Sequence, residues 1–304
     1  MASLKTTIWG IDFKNAVWSA SGCFGYGTEL SDFFAPDSIG GIVTKGISAT
    51  PWPGNPPPRI VETPCGMLNS IGLQNVGLQS FIDDKMPPLR RLDTKVIVNF
   101  LGHRIEEYEE LAKALNTVDG IDVLEINLSC PNVDKGGLTF SANPEAAAEV
   151  VRRAKALAPD KPLLVKLSPN TGDIGAMARA VADAGADGIS LINTLLGMAI
   201  NINTRRPVLH RVVGGLSGPA VRPVALRMVW EVAKAVDIPV VGMGGIERAE
   251  DVIAFMLAGA SAVQIGTAVL REPMAMTTII DDLNAWCDAQ GVSDISDIIG
   301  ALEV

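Results

Sequence analysis

One feature constrains this chain more than any other: short apolar, β-branched runs alternate with amphipathic helical patterns along its length. The runs are Ala16–Ser19, Gly41–Lys45, Val96–Phe100, Val123–Asn127, Leu163–Lys166, Gly188–Ile192, Pro239–Gly242 and Ala262–Ile265. Several are apolar at successive positions, as strands buried on both faces must be. Between them lie the patterns Ile105–Leu115, Pro144–Ala158, Ile174–Ala184, Val221–Val236 and Ala249–Ala258. Asn143-Pro144 supplies an N-cap followed by proline at the first helical position. Gly185 and Gly259 stand where a left-handed C-cap is favoured. Strands alternating with helices over roughly 250 residues predict an α/β fold, the (β/α)8 or TIM barrel. A doubly wound sheet is the alternative. Against it, Lys45, Asn99, Asn127, Lys166 and Asn193 all fall at strand C-termini, which converge on one mouth only in a barrel. No GxGxxG follows the first strand either. With no linker or strong repeat, residues 1–304 are expected to form a single domain with its site at that mouth.

Composition narrows the partners. Lys and Arg total 25 against 34 Asp and Glu, a formal charge of −9. Nucleic-acid binding needs a basic stripe to displace counterions, so that class is disfavoured. The 30 glycines and 19 prolines are spread along the chain, which fits many turns rather than a flexible linker. The N-terminus lacks the apolar core of a signal peptide. Val252–Leu270 carries no charge and approaches the ~20 residues that cross a bilayer. Gly259-Ala260-Ser261 and Gln264 punctuate it, so a buried helix ending near Ala258 and then a strand is the better reading. A cytoplasmic protein without a membrane segment is expected. Cys23, Cys65, Cys130 and Cys287 are far apart and none has metal-ligand spacing. No metal site or iron–sulfur cluster is expected from this chain alone.

Two segments depart from the barrel pattern. Pro51–Arg59 (PWPGNPPPR) is too proline-rich for a helix or a central strand and reads as an extended loop. Leu195–Gly218 is an insertion after the sixth strand carrying Arg205, Arg206, His210 and Arg211. It is either a cover or partner contact at the mouth, or a solvated charged hairpin.

The chemistry concentrates at the strand ends. Gly242-Met243-Gly244-Gly245 follows the seventh strand and Gly266-Thr267 the eighth. Glycine admits an anion close to backbone N–H groups, and phosphate sites at these two positions are frequent in this fold. Backbone donors would let an acidic protein hold a phosphate. Lys45 and Lys166 close apolar strands. Each is a Schiff-base candidate or a fixed charge beside an electron-rich cofactor, against the plainer reading of a snorkelling rim lysine. Cys130, in Asn127-Leu128-Ser129-Cys130-Pro131-Asn132, falls on a mouth loop and can act as a base if its site is tuned; a buried inert thiol is the common alternative. Lys135-Gly136-Gly137 gives that loop the character of a lid. Asn69, Asn99, Asn127, Asn132 and Asn193 offer paired donors and acceptors, which suit a flat heterocycle. Only two histidines exist and no HExxH or GxSxG, which disfavours a Ser–His–Asp hydrolase.

At this point the residues resemble a known family. Gly66-Met67-Leu68-Asn69-Ser70-Ile71-Gly72-Leu73-Gln74-Asn75 and Asn127-Leu128-Ser129-Cys130-Pro131-Asn132 resemble dihydroorotate dehydrogenase. So do Ser21-Gly22, Thr44-Lys45-Gly46, Val165-Lys166-Leu167, Ile192-Asn193-Thr194, Gly244-Gly245 and Gly266-Thr267, across essentially the whole chain. The resemblance implies an FMN barrel that oxidises dihydroorotate to orotate in pyrimidine synthesis. Cys130 would take the C5 proton while a hydride passes from C6 to flavin N5. Lys45, Asn69, Ser70, Ile71, Gly72, Leu73, Asn127, Asn193 and Thr194 would hold the pyrimidine. Ser21, Lys45, Gly46, Asn99, Asn127, Lys166, Ile192 and Gly218 would line the flavin, with Gly244, Gly245, Gly266 and Thr267 at its phosphate. Cysteine rather than serine at the base position points away from the membrane-bound class. Glu62–Ser70 and Val208–Gly218 look like the class 1B catalytic subunit. That class implies a partner subunit carrying FAD and a 2Fe-2S cluster that reduces NAD⁺, in a two-plus-two heterotetramer with a dimer of this chain at its core. The fumarate-using class 1A, a flavin barrel acting on uracil-type bases, and a Lys166 Schiff-base lyase remain as alternatives.

Overall fold

The computed structural model describes residues 2–128 and 140–304. Eight parallel strands close into a barrel in chain order: β1 (Val17–Ser19), β2 (Gly41–Val43), β3 (Lys95–Phe100), β4 (Val123–Asn127), β5 (Leu163–Lys166), β6 (Gly188–Leu191), β7 (Val240–Met243) and β8 (Ala260–Ile265). Each expected run supplies one strand, with ends shifted by a residue or two. Burial is complete in β1, β2, β4, β5, β6 and β7, which explains their unbroken apolar character.

The helices pack on the outside as their periodicity predicts. Ile105–Asn116 buries Tyr108, Leu111, Ala112 and Leu115, the i, i+3, i+4, i+7 face. Pro144–Leu157 starts at Asn143, whose side chain accepts from the Ala146 N–H at 2.8 Å. Gly185 and Gly259 take positive φ immediately after the C-caps Ala184 and Ala258 of Ile174–Asp183 and Ala249–Leu257. Cys287 is fully buried in the final helix, Ala275–Gln290, in a packing role.

Helical structure also runs from 77 to 89, where the periodicity gives no signal. Pro87 and Pro88 remove two consecutive ladder donors, and the turn before them is widened, with the Met86 N–H reaching back to the Phe81 carbonyl.

Two additions close the ends. A hairpin, Thr6–Ile8 with Ile11–Phe13, turns through Trp9-Gly10, both at positive φ. It covers the N-terminal end, where the Trp9 indole N–H donates to the Asp187 carbonyl and Phe13 stacks on Trp18 with ring centroids 4.4 Å apart. The insertion after β6 is more than a solvated hairpin. Its strands Leu195–Met198 and Val213–Ser217 join Gly66–Asn69 and Ile60–Thr63 in a four-stranded antiparallel sheet at the mouth. Only its tip, Ile200–Asn201 with Arg206–Pro207, stands out as an exposed ribbon. Among the described residues, no helix is long and apolar enough to cross a membrane. Val252–Leu270 is divided among a helix, β8 and the short helix Thr267–Arg271.

Candidate active site at the barrel mouth

A cavity of about 820 Å³ opens between the C-terminal ends of the strands and the four-stranded sheet. Every residue expected at the site lines it, with one exception. Ser21 follows β1; Lys45 and Gly46 follow β2; Asn99 and Asn127 end β3 and β4; Lys166 ends β5. Ile192, Asn193 and Thr194 follow β6, Gly244 and Gly245 follow β7, and Gly266 and Thr267 follow β8. Asn69, Ser70, Ile71, Gly72, Leu73 and Gly218 come from the covering sheet and its connections. The exception is Cys130, which lies outside the described residues, as do Asn132 and Lys135–Gly137.

The floor is polar and buried. Lys166 is 6% exposed, and Asn99 and Gln264 are each 1% exposed. Glu125, fully buried at the middle of β4, was not among the expected residues. It accepts from Asn99 Nδ2 at 2.6 Å, Gln264 Nε2 at 2.6 Å and Ser190 Oγ at 3.1 Å. Lys166 Nζ stands 3.8 Å from its Oε1. A signal for it exists: one carboxylate inside an otherwise apolar strand, two residues from Asn127 and therefore on the same strand face. Higher in the cavity, Asn193 Nδ2 donates to Asn127 Oδ1 at 3.4 Å, and Tyr108 donates its hydroxyl proton to the Asn127 carbonyl at 2.8 Å. Trp52 and His103, in ring contact with centroids 4.9 Å apart, also line the wall and were not foreseen. The proline-rich loop thus reaches the cavity through Trp52 and Asn55.

Electrostatics follow burial. Desolvation holds the Lys45 ammonium below the ordinary lysine range, and nearby Arg59 adds to the effect. Burial pushes the Cys23 thiol above its ordinary range, with Lys166 and Lys45 pulling the other way. Among the described residues no cluster of His, Cys, Asp or Glu could hold a metal ion.

The residues present fit a flavin in two places, acceptors that suit a donor-bearing edge and a glycine-rich turn that suits a phosphate. Asn99 Oδ1 and Gln264 Oε1 are buried without a hydrogen-bond partner among the described residues. Each such carbonyl costs about 1–3 kcal/mol unless a ligand donates to it. At Gly46 a Cβ would lie 2.6 Å from Asn99 Oδ1, so only glycine leaves that edge open. Gly245 has φ +72°, and a Cβ there would meet the Gly218 carbonyl oxygen at 2.7 Å. Beside it Thr267 Oγ1 donates to Ser217 Oγ at 2.8 Å, and Gly266 opens the helix Thr267–Arg271 with no side-chain cap. Glycines that let a ligand approach the backbone, at a helix start with no side-chain cap, suit an anion.

Comparison with known proteins gives a consistent picture. The sequence profile described as dihydroorotate dehydrogenase matches residues 3–286. A protein of Pelobacter propionicus named dihydroorotate dehydrogenase B (NAD(+)), catalytic subunit, is 54% identical over 294 residues, covering 97% of this chain and 96% of the relative. Proteins of the same name from Geobacter sulfurreducens and Geotalea daltonii are 54% and 53% identical, each over 301 residues, 99% of this chain and 98% of theirs.

Proposed function

Since the chain belongs to the dihydroorotate dehydrogenase family, we propose that it oxidises dihydroorotate to orotate in pyrimidine synthesis as the catalytic subunit of an NAD⁺-linked enzyme. The observation that carries this is the convergence of the lysines, asparagines and glycines above on one cavity, although they are scattered from Ser21 to Thr267. FMN would occupy the barrel side, held by Ser21, Lys45, Gly46, Asn99, Asn127, Lys166, Ile192 and Gly218, with Gly244, Gly245, Gly266 and Thr267 at its phosphate. The chemistry bound FMN supplies is hydride acceptance from C6 of the substrate.

The chain's own residues do the rest. Asn69, Ser70, Ile71, Gly72, Leu73, Asn127, Asn193 and Thr194 orient the pyrimidine, whose alternating carbonyls and N–H groups match amides that both donate and accept. Lys45, which lines the same cavity, would contact both flavin and substrate. Lys166, which lines the barrel side of the cavity, would stand beside bound FMN and stabilise the negative charge of its reduced form. Cys130 removes the C5 proton. The four-stranded sheet would cover the bound ligands from above.

Electrons leave through a partner subunit. The relatives' names, which specify a catalytic subunit and NAD⁺, support this. The partner would carry FAD and the 2Fe-2S cluster, in a two-plus-two heterotetramer built on a dimer of this chain in the cytoplasm.

A purified preparation tests the reading directly. It should show flavin absorbance that bleaches on anaerobic addition of dihydroorotate. NAD⁺ reduction should appear only when an iron–sulfur flavoprotein co-purifies. A colourless, FMN-free protein overturns the cofactor assignment, and fumarate-dependent turnover overturns the NAD⁺ assignment.

A further inference from the structure

Glu125 is fully buried directly beneath the cavity floor, where it contacts the lining residues Asn99, Gln264 and Lys166, and no role has yet been given to it. Its neighbours come from four other strands: Asn99 from β3, Lys166 from β5, Ser190 from β6 and Gln264 from β8. Asn99 and Lys166 share Oε1; Ser190 and Gln264 share Oε2. All four approach with donor groups, because an ionised carboxylate only accepts. That has a consequence for the two amides. With Nδ2 and Nε2 committed to Glu125, their carbonyl oxygens are the ends left over, and both are buried without a hydrogen-bond partner among the described residues. The carboxylate therefore fixes the polarity of this part of the pocket as acceptor. It also supplies the countercharge to Lys166.

We infer that Glu125 is a positioning residue for the flavin. It turns the carbonyls of Asn99 and Gln264 out as acceptors for a ligand edge that carries donors, and it moderates the field of Lys166. FMN carries such donors, an imide N–H and ribityl hydroxyls. The inference rests on the FMN reading above.

The test compares Glu125→Gln and Glu125→Asp in the full chain. Gln keeps the shape but removes the charge and brings an N–H₂ into a site that only accepted. Asp keeps the charge and acceptor character but shortens the reach. Two measurements are made: FMN titration of apoprotein, and the redox midpoint of bound FMN by dye equilibration. Removing a negative charge favours the reduced flavin. Glu125→Gln should raise the midpoint by at least a tenfold change in the two-electron equilibrium, about 30 mV. It should also weaken FMN binding at least tenfold. Glu125→Asp should stay within threefold on both. A packing role alone predicts the reverse order, since Asp leaves the larger gap. Equal effects in the two variants, or an unchanged midpoint in Glu125→Gln, overturn the inference. If Glu125→Gln does not fold, Glu125→Gln/Lys166→Met becomes the readout. Recovery of folding on removing both charges supports the pairing, and failure to recover refutes it. Wild-type protein that binds no FMN overturns the functional reading itself, a result distinct from any of these.

Discussion

Substituting Gly245→Ala separates backbone strain from close approach, because the fold supplies its own control. Gly245 has φ +72° and Gly291, the C-cap of the last helix, has φ +71°. A Cβ at Gly291 meets nothing within 4 Å. At Gly245 it meets the Gly218 carbonyl oxygen at 2.7 Å, Arg222 Cβ at 2.8 Å and Arg222 N at 3.1 Å. Both alanines incur the left-handed penalty of roughly 1–2 kcal/mol. Both recover about 0.4–1 kcal/mol through a less flexible unfolded chain. Only Gly245→Ala adds overpacking of about 1–3 kcal/mol, since two of its three neighbours are backbone atoms that cannot rotate away. It should therefore melt several degrees below Gly291→Ala, at about 2–4 °C per kcal/mol. The strain would be relieved by shifting the segment that carries the glycine N–H groups. Loss of one charge-assisted hydrogen bond, about 1.5–3 kcal/mol, weakens FMN roughly ten- to a hundredfold. Thermal melts of the apoprotein and FMN titrations of both variants measure the two effects. Equal melting temperatures and equal FMN affinities would refute the close-approach argument.

Other perturbations have defined outcomes. Cys130→Ala should leave FMN absorbance intact while stopped-flow reduction by dihydroorotate slows about 10²–10⁴-fold; a wild-type rate removes Cys130 as the base. Lys166→Met leaves Glu125 buried without its cation, a change of about 3–5 kcal/mol in a buried pair. The three remaining donors on Glu125 place the loss toward the lower end, and chemical denaturation reads it. In the apoprotein, alkylation at about pH 8.5, the ordinary thiol range, should label exposed Cys65 first, with buried Cys287 lagging and half-buried Cys23 slowed by its raised thiol. Burial raises the Cys23 thiol, so its neutral form is the one the fold favours. That contribution is complete below the unfolded-state value and lost as pH rises through the folded-state value, so alkaline pH destabilises the apoprotein. Cys23 labelled as fast as Cys65, mapped by mass spectrometry, contradicts this.

The barrel was legible in the sequence because its signals are local. An apolar run such as Leu163–Lys166, an Asn143-Pro144 cap and a Gly259 terminus each act within a few residues. Lys45, Asn99, Asn127, Lys166 and Asn193 were identifiable because one rule of barrel geometry sends every strand end to the same mouth. The sheet over that mouth was not legible. Gly66–Asn69 pairs with Val213–Ser217, far along the chain, and neither segment has the burial that writes an apolar run.

Sequence alone determined the repeat of strand and helix, the placement of polar residues at strand ends, and the glycine turns fit for an anion. Each depends on dihedral preference and periodicity. Tertiary structure alone decided what Glu125 touches. Gln264 and Glu125 lie 139 residues apart, and only closure of the barrel brings Gln264 onto the carboxylate that Asn99 meets as its register partner on the neighbouring strand. Contacts across a closed sheet depend on the register of every intervening strand, which no short stretch of sequence encodes.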